Sequence, residues 1–204
     1  FVFWLEVARL YQPEQVGVAS TLISAINFIT YTALLGFNTT FVRVLPKSKN
    51  RNEAIDTGLL FVLCAGVLFA SLYAVLAPLI APQLSVLHDH WYYALGFVVL
   101  VAAAGVNLVT DSIFVAYREA RYNLFVDGAI AGLIQIVLPT LLVGVGAFGI
   151  FTSAAAAIGC AMVTSIVLLV KRFNYQPRLA IQRRTLREVG RTSLTSYVSN
   201  LLNI

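Results

Sequence analysis

The chain has 204 residues, 59% of them hydrophobic and only 11% charged, with a mean hydropathy of +0.85. Soluble domains carry about 25% charged residues, so this composition excludes an ordinary water-soluble globule and points to a membrane protein. A formal charge of +5 would suggest nucleic acid or an acidic partner in a soluble protein; here no nucleic-acid role is expected, and the placement of the charges matters more than their sum.

A spanning helix needs roughly 20 residues at 1.5 Å each, so there is room for about six or seven spans with short loops. Segments of about ten strictly alternating residues, the mark of a β-barrel, do not occur. The expected fold is all-α: a polytopic membrane helix bundle of about six transmembrane helices plus the start of a seventh. The spans fall near residues 1–10, 16–42, 57–80, 91–117, 124–145 and 150–170, which together make an N-terminal transmembrane lobe over 1–170. A basic connector, 171–190, leads to the start of a second lobe at 191–204. The chain opens at Phe1 inside an apolar run and stops within another, so it reads as a fragment of a longer protein.

The second span carries Ser20, Ser24, Asn27, Tyr31 and Asn38 at spacings of 4, 3, 4 and 7, which puts them in one strip of a helix. Such a strip faces something other than lipid. The third span is bracketed at its end by Pro78 and Pro82. Trp91-Tyr92-Tyr93 opens the fourth span as an aromatic cluster of the headgroup zone. Along that span Asn107 and Asp111 share a face, with Arg118 two turns beyond. An acid there is either a cation, proton or gate site or the partner of a neighbouring arginine. Asp127, in the first turn of the fifth span, suits the positive end of a helix dipole. Gly128 and Gly132 predict close helix packing, and Pro139 predicts a bend. A tight turn is expected over Gly144–Gly149. Ala154–Ala157, Gly159 and Ala161 make the sixth span a closely packed helix. Cys64 and Cys160, deep in apolar runs, read as small buried apolar residues. His88-Asp89-His90 reads as a solvated loop, and no metal or cofactor is expected. Thr185 and Glu188 have the spacing of a capping box that leads into the seventh span, whose polar Thr192–Asn203 resembles the strip of the second.

If spans two, four and six end on one side, that side collects thirteen of the fourteen Lys and Arg residues, and Arg9 alone lies opposite. The positive-inside rule makes the rich side cytoplasmic, with loops 43–56, 118–123 and 171–190 inside a multi-pass cell (cytoplasmic) membrane protein. The stretch 171–191 is expected to lie on the anionic inner leaflet, each cation contributing on the order of 1 kcal/mol. Arg9 either pairs with Glu6 or Glu14, or stands at an outer rim where it attracts phosphate. The chain has no Ser-His-Asp set, Walker loop or acid pair in a cleft, so it is read as a non-enzyme.

The stretch Ala8-Arg9-Leu10-Tyr11-Gln12-Pro13-Glu14-Gln15-Val16-Gly17, followed by Gly36 and a closing Val42-Arg43, resembles the AR-L-x-PE-x-G turn of polysaccharide biosynthesis membrane proteins. These are the Wzx-type oligosaccharide flippases of the MOP superfamily, whose other branches include MATE-type drug exporters. The resemblance implies two lobes, a central cavity with alternating access, and transport of a polyprenyl-diphosphate-linked oligosaccharide to the outer leaflet, with glycan-assembly proteins as further partners. It turns Arg9, Asn27, Tyr31, Asn38, Arg43, Asn107 and Asp111 into candidate substrate-binding residues. The competing readings are a cation-coupled multidrug exporter, which needs a deep acid, and a membrane polymerase or ligase, which would be expected to show large charged outer loops.

Overall fold

The computed structural model describes residues 2–34, 37–48, 50–80 and 91–177. The loop with His88-Asp89-His90, Gly36, Pro82, most of the connector, the Thr185 and Glu188 box and the polar Thr192–Asn203 lie outside them. The fold is all-α, and no strand occurs among the described residues. In chain order the helices are α1 (Val2–Leu10), α2 (Pro13–Leu34), α3 (Phe37–Val44, continued by a 3-10 turn over Leu45–Lys47), α4 (Arg51–Ile80), α5 (Trp91–Ala116), α6 (Arg121–Leu141) and α7 (Ala147–Phe173). Five of them, α2, α4, α5, α6 and α7, are long and apolar enough to cross a membrane. The protein is a multi-pass membrane protein.

Several boundaries differ from the hydropathy reading for local reasons. Helix α2 starts at Pro13 rather than Val16, because Pro13-Glu14-Gln15 is itself a helix start. Proline occupies the first helical position, Glu14 meets the positive end of the dipole, and the Gln15 side chain accepts from the backbone N–H of Gln12 at 3.3 Å. Helix α4 begins at Arg51, six residues before the expected Thr57, with the Asn50 carbonyl accepting from Ala54 N–H at 3.1 Å. Hydropathy averages over that polar first turn and a half and so reads it as loop. In α6 residues Leu124–Ala131 form a π-helix, a widened turn that no periodicity in the sequence announces.

The middle of the bundle is α5, the most buried of the five spans, which touches α2, α3, α4, α6 and α7. Its crossing with α4 is built on small residues. A Cβ on Gly105 would lie 2.8 Å from Val62 Cγ1, and one on Gly66 would lie 3.4 Å from Ala102 Cα. Backbones therefore approach closely, which is how membrane helices gain packing energy when lipid is as apolar as leucine. Buried Thr110 and Ser153 return their hydroxyls to their own helix, to Asn107 O at 2.7 Å and to Gly149 O at 2.7 Å.

The opposite end from Arg43 is closed by the Ala8–Gly17 turn. Tyr11 donates its hydroxyl to the Pro139 carbonyl at 2.6 Å, and Gln15 lies against Gly146. Gly146 has φ +65 and follows a 3-10 turn over Val143–Val145, so the expected tight turn is there. Thr140 donates to Glu6. Two packing expectations change. Nothing from another helix lies within 4 Å of a Cβ on Gly128 or Gly132, so that pair makes no close crossing. Cys64 and Cys160 are exposed rather than buried, on outward faces where lipid meets them as it would any small apolar group.

Gly149 is the residue this end of the bundle tolerates least change in. A Cβ there would sit 2.3 Å from Leu142 O and 3.0 Å from the Tyr11 hydroxyl, whereas one on Gly159 would meet open space. Gly149→Ala should therefore destabilise the lobe by about 1–3 kcal/mol, the usual cost of overpacking. The check is thermal unfolding of purified protein in detergent, with Gly159→Ala as the variant expected to melt like the parent.

Candidate functional site

The polar strip of α2 does not pack against a neighbouring helix of the described lobe. Ser24, Asn27 and Tyr31 are exposed, Tyr31 by 61%, with Phe28 exposed beside them, while Ala25, Ile26, Ile29 and Thr30 are buried. The helix thus puts its apolar side into the bundle and its amide and phenol outward. The side chain of Asn38, on α3, lies outside the described residues. Arg9, at the end of α1, and Arg43, in the last turn of α3, are both exposed and stand at opposite ends of the membrane-length α2. Arg9 makes no ion pair among the described residues; Glu6, its expected partner, takes the Thr140 hydroxyl instead.

Asn107 and Asp111 do come together, and with more company than the sequence suggested. The Asn107 side-chain amide donates to Asp127 Oδ1 at 3.0 Å, and its oxygen accepts from the Ser165 hydroxyl at 3.2 Å. Asn123 donates to the Asp111 backbone carbonyl at 3.2 Å. Asp111 stands one turn beyond Asn107 on the same face of α5, with its carboxyl beside that of Asp127. Three helices thus meet on one polar group: Asn107 and Asp111 from α5, Asn123 and Asp127 from α6, and Ser165 from α7. Asp111 is half-buried and Asp127 exposed, so the group opens to the surface past Asp127. One oxygen each of Asp111 and Asn123 is buried without a partner.

The π-helix makes this meeting possible. Asp127 lies within the widened turn, which sets its carboxyl toward α5, and Val126 and Ala131 of the same turn bury against Ala157 and Ala161 of α7. Asp127 was read from the sequence as a dipole partner only; its approach to Asp111 depends on a helix distortion. Chemically the group can take up and release a proton or coordinate a small cation. Among the described residues no three His, Cys, Asp or Glu side chains gather to hold a metal ion.

A second polar contact closes the arginine-rich end. Tyr175, just beyond α7, donates its hydroxyl to Asp56 Oδ1 in the second turn of α4, and both are buried. Burial, with the Asp56 charge beside it, raises the phenol's pKa above its ordinary value and keeps it a donor. Asn174, in the left-handed conformation with φ 50, turns the chain for this contact, and the backbone N–H of Tyr175 bonds Leu169 O at 3.3 Å.

The bundle, its outward polar strip and its three-helix polar group are joined by one finding from comparison. A profile of the polysaccharide biosynthesis protein family matches residues 7–204. The chain belongs to that family. The match takes in the Tyr11 turn, all five long helices and the three-helix polar group, and it gives the protein a role in polysaccharide biosynthesis. No curated protein and no solved structure matches the chain.

The Asn107 amide is the joint of the polar group, since it alone bonds both α6 and α7. Asn107→Ala should cost about 1.5–3 kcal/mol, as expected for losing a bond to a charged partner, and Ser165→Ala about 1 kcal/mol or less. Melting temperatures of the two variants in the same detergent check the order; equal shifts would mean that the Asp127 bond contributes nothing of its own.

Proposed function

We propose that the protein moves a polyprenyl-diphosphate-linked oligosaccharide across the cytoplasmic membrane for surface polysaccharide assembly. The observation that carries this reading is the outward polar strip of α2 in a member of the polysaccharide biosynthesis family. Amides, hydroxyls and a phenol on a spanning helix are costly against lipid and belong beside a polar cavity or a partner surface. Ser24, Asn27 and Tyr31 supply hydrogen-bonding groups suited to sugar, while Arg9 and Arg43 stand at the two ends of the strip. An arginine fork matches a phosphate bidentately. The arginine-rich ends of α3, α5 and α7 face the cytoplasm in this reading. The protein then binds and reorients its cargo without making or breaking a covalent bond.

The second reading, a cation-coupled exporter of small molecules, draws its support from the two acids, Asp111 and Asp127, that meet in the three-helix polar group, since such a mechanism needs an intramembrane acid. The two readings part on simple variants of the complete protein. Arg9→Ala and Arg43→Ala should each reduce surface glycan export several-fold, and Asn27→Leu should do the same at unchanged protein level. Normal glycan export by both arginine variants, together with loss of drug resistance in Asp111→Asn, would replace the first reading with the second.

A further inference from the structure

On the arginine-rich end, four rings form a connected cluster. Phe173 lies 4.9 Å from Tyr117 and 5.7 Å from Tyr122, centroid to centroid, and Phe114 lies 5.6 Å from both Tyr122 and Phe173. Three arginines from three separate elements dock on the two tyrosines. Arg51, the first residue of α4, holds its guanidinium 5.7 Å from the Tyr117 ring centre. Arg172, in the last turn of α7, donates its Nε to the Tyr122 hydroxyl at 3.1 Å. Arg121, at the start of α6, sits 5.4 Å from the Tyr122 ring centre. The left-handed Arg118, φ 60, makes the reversal that returns Arg121 and Tyr122 over the end of α5, with Glu119 N–H bonding Phe114 O at 2.9 Å.

The charges in this cluster are unequal in their pairing. Arg121 is neutralised by Glu119, with Nε 2.6 Å from Oε2. Arg51 and Arg172 are exposed, held in place by tyrosines, and make no ion pair among the described residues. Exposed arginines ordinarily keep their rotamer freedom, because ordering a long side chain costs on the order of 2 kcal/mol. Here two are ordered and left without a counter-charge. Arg51 also sits at the positive end of the α4 dipole, where a cation is disfavoured and an anion favoured. Both stand at the ends of membrane-length helices, the depth at which lipid headgroups lie.

We infer that Arg51 and Arg172, set by Tyr117, Tyr122 and Phe173, form a binding site for the phosphate of an anionic phospholipid in the leaflet on the arginine-rich side. The Tyr117 ring holds the Arg51 guanidinium, and Tyr122 takes the Nε of Arg172, so the terminal nitrogens of both remain to donate to phosphate oxygens. Only Arg172 of this pair belongs to the basic connector, so the site is a feature of the folded lobe. It does not depend on what the protein transports.

The test is native mass spectrometry of the complete protein in detergent, titrated with dioleoyl phosphatidylglycerol and, separately, dioleoyl phosphatidylcholine. The protein should retain phosphatidylglycerol and not phosphatidylcholine. Arg51→Gln and Arg172→Gln should each weaken retention about fivefold, the worth of one interfacial cation, while Lys47→Gln, which removes an equal charge outside the ring cluster, should change it less than twofold. Tyr122→Phe alters no charge and should still weaken retention two- to threefold by freeing Arg172. Equal losses in all three charge variants, with Tyr122→Phe like the parent, would show diffuse attraction and overturn the site. Inorganic phosphate that displaces the lipid at equimolar concentration would also overturn the assignment to a lipid.

Discussion

Val62 of α4 fills the space that Gly105 leaves on α5, and one turn-pair away Gly66 rests on the backbone of Ala102. This close crossing makes α5 the helix against which the others are placed. Buried on most of its length, α5 cannot leave a polar group to water, and lipid offers nothing in return. Its hydroxyls solve the problem locally, Thr110 and Ser112 each bonding a carbonyl of their own helix. An asparagine amide and a carboxyl have too many donors and acceptors for that solution. Asn107 and Asp111 therefore draw on α6 and α7, and the three-helix polar group follows from the position of α5.

The Ala8–Gly17 turn works by a related constraint. A proline within α6 cannot donate, and the carbonyls near a helix end need partners from elsewhere. Tyr11 provides one for Pro139, Gln15 packs on the left-handed Gly146, and Gly149 is small enough to let Tyr11 in. The residues that make the Ala8–Gly17 stretch resemble the family turn are thus the ones that start α2 and dock it on α6 and α7. Their role in the structure is architectural, and Arg9 projects from the stretch, exposed and without an ion pair among the described residues.

Hydropathy was enough to read the number of long helices and their approximate order, because a run of about 20 apolar residues has few other uses. It failed at ends where polar residues belong to the helix: Pro13-Glu14-Gln15 on α2 and Arg51–Asp56 on α4. Of the site, Asn107 and Asp111 were legible from their spacing on one face. Asp127, Asn123 and Ser165 were not, since the first depends on a π-turn and the others on which face of α6 and α7 meets α5. A small-xxx-small pair such as Gly128 and Gly132 marks a possible crossing without saying that a partner arrives. The Asp56 and Tyr175 contact spans 119 residues, a separation that spacing arguments do not reach.

The two polar features of the lobe differ in a way that bears on how it works. Around Asn107 the donors and acceptors mostly answer one another across three helices, so this group fixes the relative position of α5, α6 and α7. On α2 the amide of Asn27 and the phenol of Tyr31 face outward, while the same helix is fully committed to the bundle through Ala25, Ile26 and Ile29. A surface that slides past a cargo or a second lobe must exchange its hydrogen bonds at low cost, and outward groups on a rigid helix do so without repacking the core. The cross-linked group is therefore suited to holding the lobe as one body, and the open strip to meeting whatever moves against it.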